Sequence, residues 1–228
     1  MIISCEGFQG TGKTTMAVAL NYEEHMVNGR RIISNNHLNF DYQHFSLEWF
    51  LEHVADGELE DCNLLLDEMY QIADSRSSQT KLNKLFTYFV VQCRKRNVDL
   101  YICTHHLDHI DLRLRRAVDI RGSCRYYPER PCKKCRCKVC GGTGKVNGYP
   151  CEACDGKGGT GEYLGKPCDR CLGYGELGWV RGNFLDRRLR KRYTLELFGN
   201  RYWHLFNSYE RLPMQAKIFQ GIDTAEVG

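Results

Sequence analysis

The residues GFQGTGKT, Gly7 to Thr14, constrain this chain more than any other stretch. They match the spacing Gly-x4-Gly-Lys-[Ser/Thr], follow the β-type run MIISCE and lead into TTMAVALNYEEHM, whose apolar residues recur at helical spacing. A strand, a Gly-rich turn and a helix N-terminus in that order aim successive backbone N–H groups into one concavity, to which the helix adds the positive end of its dipole. That concavity suits phosphates. Gly7, Gly10, Thr11, Gly12, Lys13, Thr14 and Thr15 are therefore the expected nucleotide-binding residues, with Lys13 reaching the β- and γ-phosphates of ATP and the Thr14 hydroxyl ligating Mg²⁺.

The rest of the chain supplies the setting such a loop needs. RIISN (Arg31 to Asn35), CNLLLDE (ending in Asp67 and Glu68) and VDLYICT (Val98 to Thr104) read as strands, the last two buried on both faces. Phe45 to Val54 reads as a helix capped by Ser46, Lys81 to Cys93 as another, and LDHIDLRLRRAV as a third. Strands alternating with helices predict an α/β fold with a mostly parallel sheet. Leu64, Leu65, Leu66, Asp67 and Glu68 form a Walker B pattern, which would deliver Asp67 to magnesium and Glu68 to the attacking water. Thr104 and His105 end the next strand at the same edge, where they would sense the γ-phosphate, and Arg94 and Arg113 head the two basic runs from which an arginine finger would come. The plainer reading of each of these arginines is a solvated surface charge.

After Tyr127 the character changes: Pro, Gly, Cys and Lys dominate to about Gly178 and apolar periodicity disappears. Eight of the thirteen cysteines fall here in four Cys-x-x-Cys pairs, Cys132/Cys135, Cys137/Cys140, Cys151/Cys154 and Cys168/Cys171. That is enough for two Zn²⁺ ions in closed sites of four thiolates, with no pair left over for redox chemistry. The other five sit singly in apolar patterns as buried thiols, and both groups fit a reducing cytoplasm. The chain thus divides into a core at 1–128, a zinc-binding insertion at 129–178, and a segment at 179–228 whose two β runs and helical YWHLFNSYERL complete the core. The insertion would lie between two strands or at the tip of a long hairpin. No apolar run reaches the ~20 residues of a bilayer span, and nothing at the N-terminus reads as a signal peptide. The formal charge of +4 would fall to near zero with two zinc ions and eight thiolates, so total charge argues nothing. Its distribution says more, because Asp111 to Cys140 and Val180 to Arg192 are rich in Lys and Arg. They are either a basic face or a solvated surface.

Together, GFQGTGKT, LLLDE, DSRSS, QCRKRNVDLYICTHH and IDLRLRRAVD resemble the ATPase domain of the zonular occludens toxin-like family, with a weaker echo in LFNSYERLP. That family includes filamentous-phage assembly proteins and sits among the RecA-like motors of the HerA and FtsK group, which also holds viral genome-packaging ATPases. The resemblance implies a RecA-like core that hydrolyses ATP as a homo-oligomeric ring, such as a hexamer, acting on double-stranded DNA in genome packaging or translocation in a host cytoplasm. Its alternatives are a virion morphogenesis or secretion ATPase that meets a capsid or virion protein, and a nucleotide-gated zinc adaptor. The chain departs from the family in carrying His105 where Gln is usual, and in lacking the membrane-spanning segment of the phage assembly proteins. The three Cys-x-x-Cys-x-Gly-x-Gly repeats resemble the zinc domain of DnaJ-type chaperones, which implies that the first pair joins the fourth and the second joins the third. Binding DNA, binding a partner protein and stabilising a hairpin all remain open as roles of this module.

Overall fold

The computed structural model describes residues 1–54, 59–68 and 81–207. The DSRSS stretch and everything beyond residue 207, including the rest of the expected C-terminal helix, lie outside them. The strands are β1 (Ile2–Glu6), β2 (Arg31–Ser34), β3 (Gln43–His44), β4 (Cys62–Leu66), β5 (Asp99–Thr104), β6 (Ile120–Glu129), β7 (Lys145–Val146), β8 (Tyr149–Pro150), β9 (Glu162–Tyr163), β10 (Lys166–Pro167), β11 (Leu177–Asp186) and β12 (Lys191–Phe198). The helices are α1 (Lys13–Asn28), α2 (Leu47–His53), α3 (Lys81–Gln92) and α4 (Leu112–Ala117).

Eight strands form one sheet in the order β12-β11-β6-β1-β5-β4-β2-β3. The six from β6 to β3 are parallel, and β11 and β12 extend the β6 edge antiparallel. The protein is therefore α/β with a mostly parallel sheet. The period-2 alternation of its strands sorts side chains onto two faces. Ile2, Ile33, Leu64, Leu66, Leu100 and Ile102 pack with Phe50 of α2 and Phe86 and Phe89 of α3 on one face. Ile3, Cys5, Leu65, Tyr101 and Cys103 pack with Met16, Ala17 and Val18 of α1 on the other. Each central strand is buried on both sides, which is why CNLLL and DLYICT carry nearly continuous apolar runs.

Local chemistry sets the boundaries. Ser46 opens α2 by accepting a hydrogen bond from the Trp49 N–H. The single helix expected over LDHIDLRLRRAV is instead a 3₁₀ turn at Leu107–His109 followed by α4. Ile110 is extended, and Asp111 caps the new start by accepting from the Arg113 N–H at 2.8 Å, so the side chain competes with the helix it was expected to continue. The described part of YWHLFNSYERL is likewise a 3₁₀ turn, Trp203–Leu205, not an α-helix. β6 and β3 had no counterpart in the sequence pattern.

β6 and β11 pair over ten residues each, and the cysteine-rich segment joins their far ends. Within it, the two small hairpins β7–β8 and β9–β10 link successive Cys-x-x-Cys turns. Backbone hydrogen bonds lock the turns together, among them Cys132 N–H to the Gly175 carbonyl and Cys137 N–H to the Gly158 carbonyl.

Candidate functional site

β1, β4 and β5 are parallel, so their carboxyl ends deliver Gly7, Asp67 and His105 to one edge of the sheet. There a cavity of about 760 Å³ is lined by Gly10, Gly12, Lys13, Thr14 and Thr15 from the loop and the first turn of α1. Gln9, Asn36, Asp67, Glu68 and His105 complete that end. Gly7 and Thr11 shape the loop without lining the cavity, and the Thr11 hydroxyl donates to the Phe8 carbonyl. α1 has no side-chain cap, and its first internal hydrogen bond is Met16 N–H to the Gly12 carbonyl. The N–H groups of Lys13, Thr14 and Thr15 are thus the orphan donors of a helix start, placed beside a cavity.

Lys13 is 6% exposed. Its ammonium donates to the Phe8 carbonyl at 3.0 Å and pairs with no carboxylate among the described residues. A buried cation without a counter-ion is costly, and an anion in the cavity would relieve it. The donor set for a hard divalent cation is also assembled: the Thr14 hydroxyl donates to Asp67 Oδ2 at 2.7 Å, a pair of oxygens that suits Mg²⁺.

Asp67 is held from three further directions. The Asn36 amide donates to Oδ2 at 3.1 Å, the Asn35 side chain brackets the Asp67 backbone by accepting from its N–H at 2.8 Å and donating to its carbonyl at 2.9 Å, and Oδ1 accepts from the Glu68 N–H. These two asparagines, next to β2, have no motif to announce them. Their only signal was two side-chain amides just past a strand that the topology places beside Walker B.

Glu68 takes a left-handed backbone, φ 49°, at which a side chain other than Gly or Asn is uncommon. Its Oε1 lies 3.6 Å from His105 Nε2, its Oε2 is buried with no hydrogen-bond partner among the described residues, and both residues line the cavity. A carboxylate that lines the cavity is suited to accept a proton from water. Arg94 and Arg113 are elsewhere. Arg94 follows α3 on the way into the amino end of β5, the edge opposite the phosphate loop, and Arg113 is tied to Asp111 through Nε at 3.2 Å; neither lines the cavity.

The thiols of the inserted module gather in two groups of four: Cys132, Cys135, Cys168 and Cys171, and Cys137, Cys140, Cys151 and Cys154. Sulfur separations of 3.9 and 3.6 Å in the first group and 3.9 and 3.7 Å in the second are near the edge of a tetrahedron built on Zn–S bonds of ~2.3 Å, about 3.8 Å. The residues therefore fit zinc, and each group would hold one ion in a closed, structural site. The second glycine of each repeat donates its N–H to sulfur at 3.3 Å: Gly144 to Cys140, Gly158 to Cys154 and Gly175 to Cys171. Burial pushes the Cys140 thiol up, but the Gly144 and Gly142 N–H groups and the neighbouring Cys137 and Cys154 thiols outweigh it and lower its pKa.

Part of each basic run is paired within the chain. Arg115 pairs with Asp108, Arg121 with Glu6, Arg130 with Glu176, Lys134 with Asp169 and Arg181 with Glu196. Arg187 donates to the carbonyls of Arg115, Arg116 and Val118, closing the C-terminal end of α4.

Neither a protein-family model nor a curated protein sequence matches the chain. Among solved structures, the N-terminal domain of zonular occludens toxin from Neisseria meningitidis superposes with a TM-score of 0.52 at 14% identity, covering 90% of this chain and 98% of that one. The two chains share a fold. The genome packaging NTPase B204 from Sulfolobus turreted icosahedral virus 2, in complex with ATP-γS, aligns at a TM-score of 0.48 and 12% identity over 85% of this chain and 95% of its own. The fold is that of the toxin domain, an α/β core with a mostly parallel sheet, here carrying a cysteine-rich module. No helix among the described residues is long and apolar enough to cross a membrane.

Proposed function

We propose that this chain is an ATP-hydrolysing motor that works on double-stranded DNA as a homo-oligomer, most simply in packaging or translocating a viral genome. The observation that carries the hydrolase half is the buried Lys13 ammonium, which has no carboxylate partner among the described residues and lies at the mouth of an uncapped helix. The orphan N–H groups and Lys13 would bind the phosphates, and Thr14 and Asp67 would hold Mg²⁺, which supplies charge neutralisation of the β- and γ-phosphates. Glu68 would accept the proton of the attacking water, and His105, which lies 3.6 Å from Glu68 Oε1 and lines the same cavity, would sense the γ-phosphate. Neither Arg94 nor Arg113 lines the cavity of its own chain, and Arg130, which does, is paired with Glu176, so an arginine for the transition state would come from a neighbouring subunit. The DNA half rests on the motif resemblance to the HerA and FtsK group and on the exposed Arg190, Lys191 and Arg192 at the β11–β12 turn.

A second reading has its own observation. The module carries apolar tips beside its exposed lysines: Leu164 is 86% and Tyr149 76% exposed. That favours a protein partner for the module, as a morphogenesis ATPase or a zinc adaptor would have. Steady-state ATP hydrolysis with and without double-stranded DNA at two salt concentrations separates the readings. DNA stimulation that falls with salt supports the motor, and turnover indifferent to DNA gives the protein-partner reading. In the same assay Glu68→Gln is expected to lower kcat by at least about a hundredfold while retaining nucleotide; unchanged turnover removes Glu68 from the mechanism.

A further inference from the structure

The cavity does not end at the phosphate loop. Its other end is walled by Tyr126 of β6, Tyr174 and Glu176 beside the fourth cysteine turn, Arg130 at the root of the module, Lys157 of the second repeat, and Trp203. Tyr174 meets Trp203 edge to face, with centroids 5.0 Å apart and planes at 88°, and Tyr126 meets it at 6.3 Å and 62°. The three rings are half-buried, each with part of its surface still open. The space for Trp203 is specific: a Cβ on Gly178 would lie 2.4 Å from its ring and 2.5 Å from that of Tyr126, so only glycine fits there.

One end of the cavity therefore offers N–H groups, an ammonium and carboxylates, and the other offers aromatic surface flanked by the Arg130–Glu176 pair, whose guanidinium donates to Glu176 Oε1 at 3.3 Å. A molecule that is anionic at one end and planar and aromatic at the other matches both ends. We propose that Tyr126, Tyr174 and Trp203 form the nucleobase subsite of this cavity, and that nucleotide and the zinc ion of the Cys132/Cys135/Cys168/Cys171 group consequently bind cooperatively. The proposal rests on the nucleotide-binding reading above and adds what recognises the base.

The coupling follows from how Tyr174 is held. Its N–H donates to the carbonyl of the ligand Cys171 at 3.1 Å, the next N–H, that of Gly175, donates to the Cys171 sulfur, and Asn200 ties the Cys171 and Glu176 carbonyls together at 2.9 and 2.8 Å. Only two residues separate Asn200 from Trp203. A zinc ion that fixes Cys171 thus fixes the aromatic wall, and a base seated on that wall favours the conformation in which the four thiols converge. Coupling of this kind is reciprocal.

The test is isothermal titration of the zinc-loaded full chain with ADP and, as a base-free probe, with pyrophosphate. Trp203→Ala, which lies outside the module, and Tyr174→Ala are each expected to weaken ADP about tenfold and leave pyrophosphate unchanged, with two zinc ions per chain retained. Equal ADP affinity in wild type and Trp203→Ala overturns the subsite. Wild type that binds neither probe overturns the nucleotide reading itself, a distinct failure. Zinc release to a chromogenic chelator is expected to slow with saturating ADP in wild type and not in Trp203→Ala; release indifferent to ADP in wild type overturns the coupling.

Discussion

At the scale of single residues, function and stability use the same devices differently. Lys13 is a buried charge left open for a ligand, whereas Asp111 is a buried charge satisfied on the spot. The Asp111 side chain is 2% exposed; burial pushes its pKa up, but the Arg113 guanidinium and the Arg113 and Leu114 N–H groups outweigh this and hold it below the ordinary carboxylate value. The folded value is thus lower than the unfolded one, so the contribution is complete above about pH 4 and is lost as pH falls through the folded value. Asp111→Ala is expected to cost about 1 kcal/mol at neutral pH, shrinking on acidification below about pH 4, as read by urea unfolding at several pH values. A penalty equal at pH 7 and pH 3 would assign Asp111 a role independent of its charge. Residues of this kind differ in legibility. Lys13, Asp67 and Glu68 stand in patterns that chemistry forces into adjacent positions, while Asn35 and Asn36 act on Asp67 across two strands and look like any pair of turn residues.

At the scale of elements, strand β11 bears directly on the phosphate loop. Gly12 has φ +84°, and a Cβ there would lie 2.7 Å from Val180 Cγ2, so the loop needs glycine for both its backbone and its neighbour. Gly12→Ala is expected to destabilise the fold by about 1–3 kcal/mol and to abolish pyrophosphate binding. Adding Val180→Ala should return the part due to crowding but not the part due to φ. Full recovery of thermal stability in the double variant would sink the backbone argument. The glycine requirement was visible in the motif, yet its partner was not. β1, β4 and β5 were legible because burial on both faces writes apolar runs, whereas β6, IRGSCRYYPE, has an exposed and partly charged face and owes its strand conformation to β1 on one side and β11 on the other. The break between Leu107–His109 and α4 escaped periodicity for a similar reason, since Asp111 reads equally well as a solvent-facing helix residue and as a cap.

At the scale of the whole molecule, the zinc module is both an appendage and a wall of the cavity. Its cysteine pairs were fully legible, because metal chemistry fixes ligand type and spacing. Its contribution of Tyr174 and Lys157 to the cavity was not, since a ten-residue strand pair carries the module to residues far away in sequence. That strand pair also bears on the order in which the chain folds. Before β11 can pair with β6, the chain must close the loop 130–176, at an entropic cost that grows with the logarithm of its length. Zinc bound between Cys132 and Cys171 would tie the loop off just beyond the two strand ends, so most of that closure would be complete before the first ladder bond forms. Refolding followed by tryptophan fluorescence is therefore expected to run faster with zinc present than with a chelator, and equal rates would show that the ladder forms first. Completion of the sheet, and with it the seat of Val180 against the phosphate loop, would then be timed by the arrival of a metal ion.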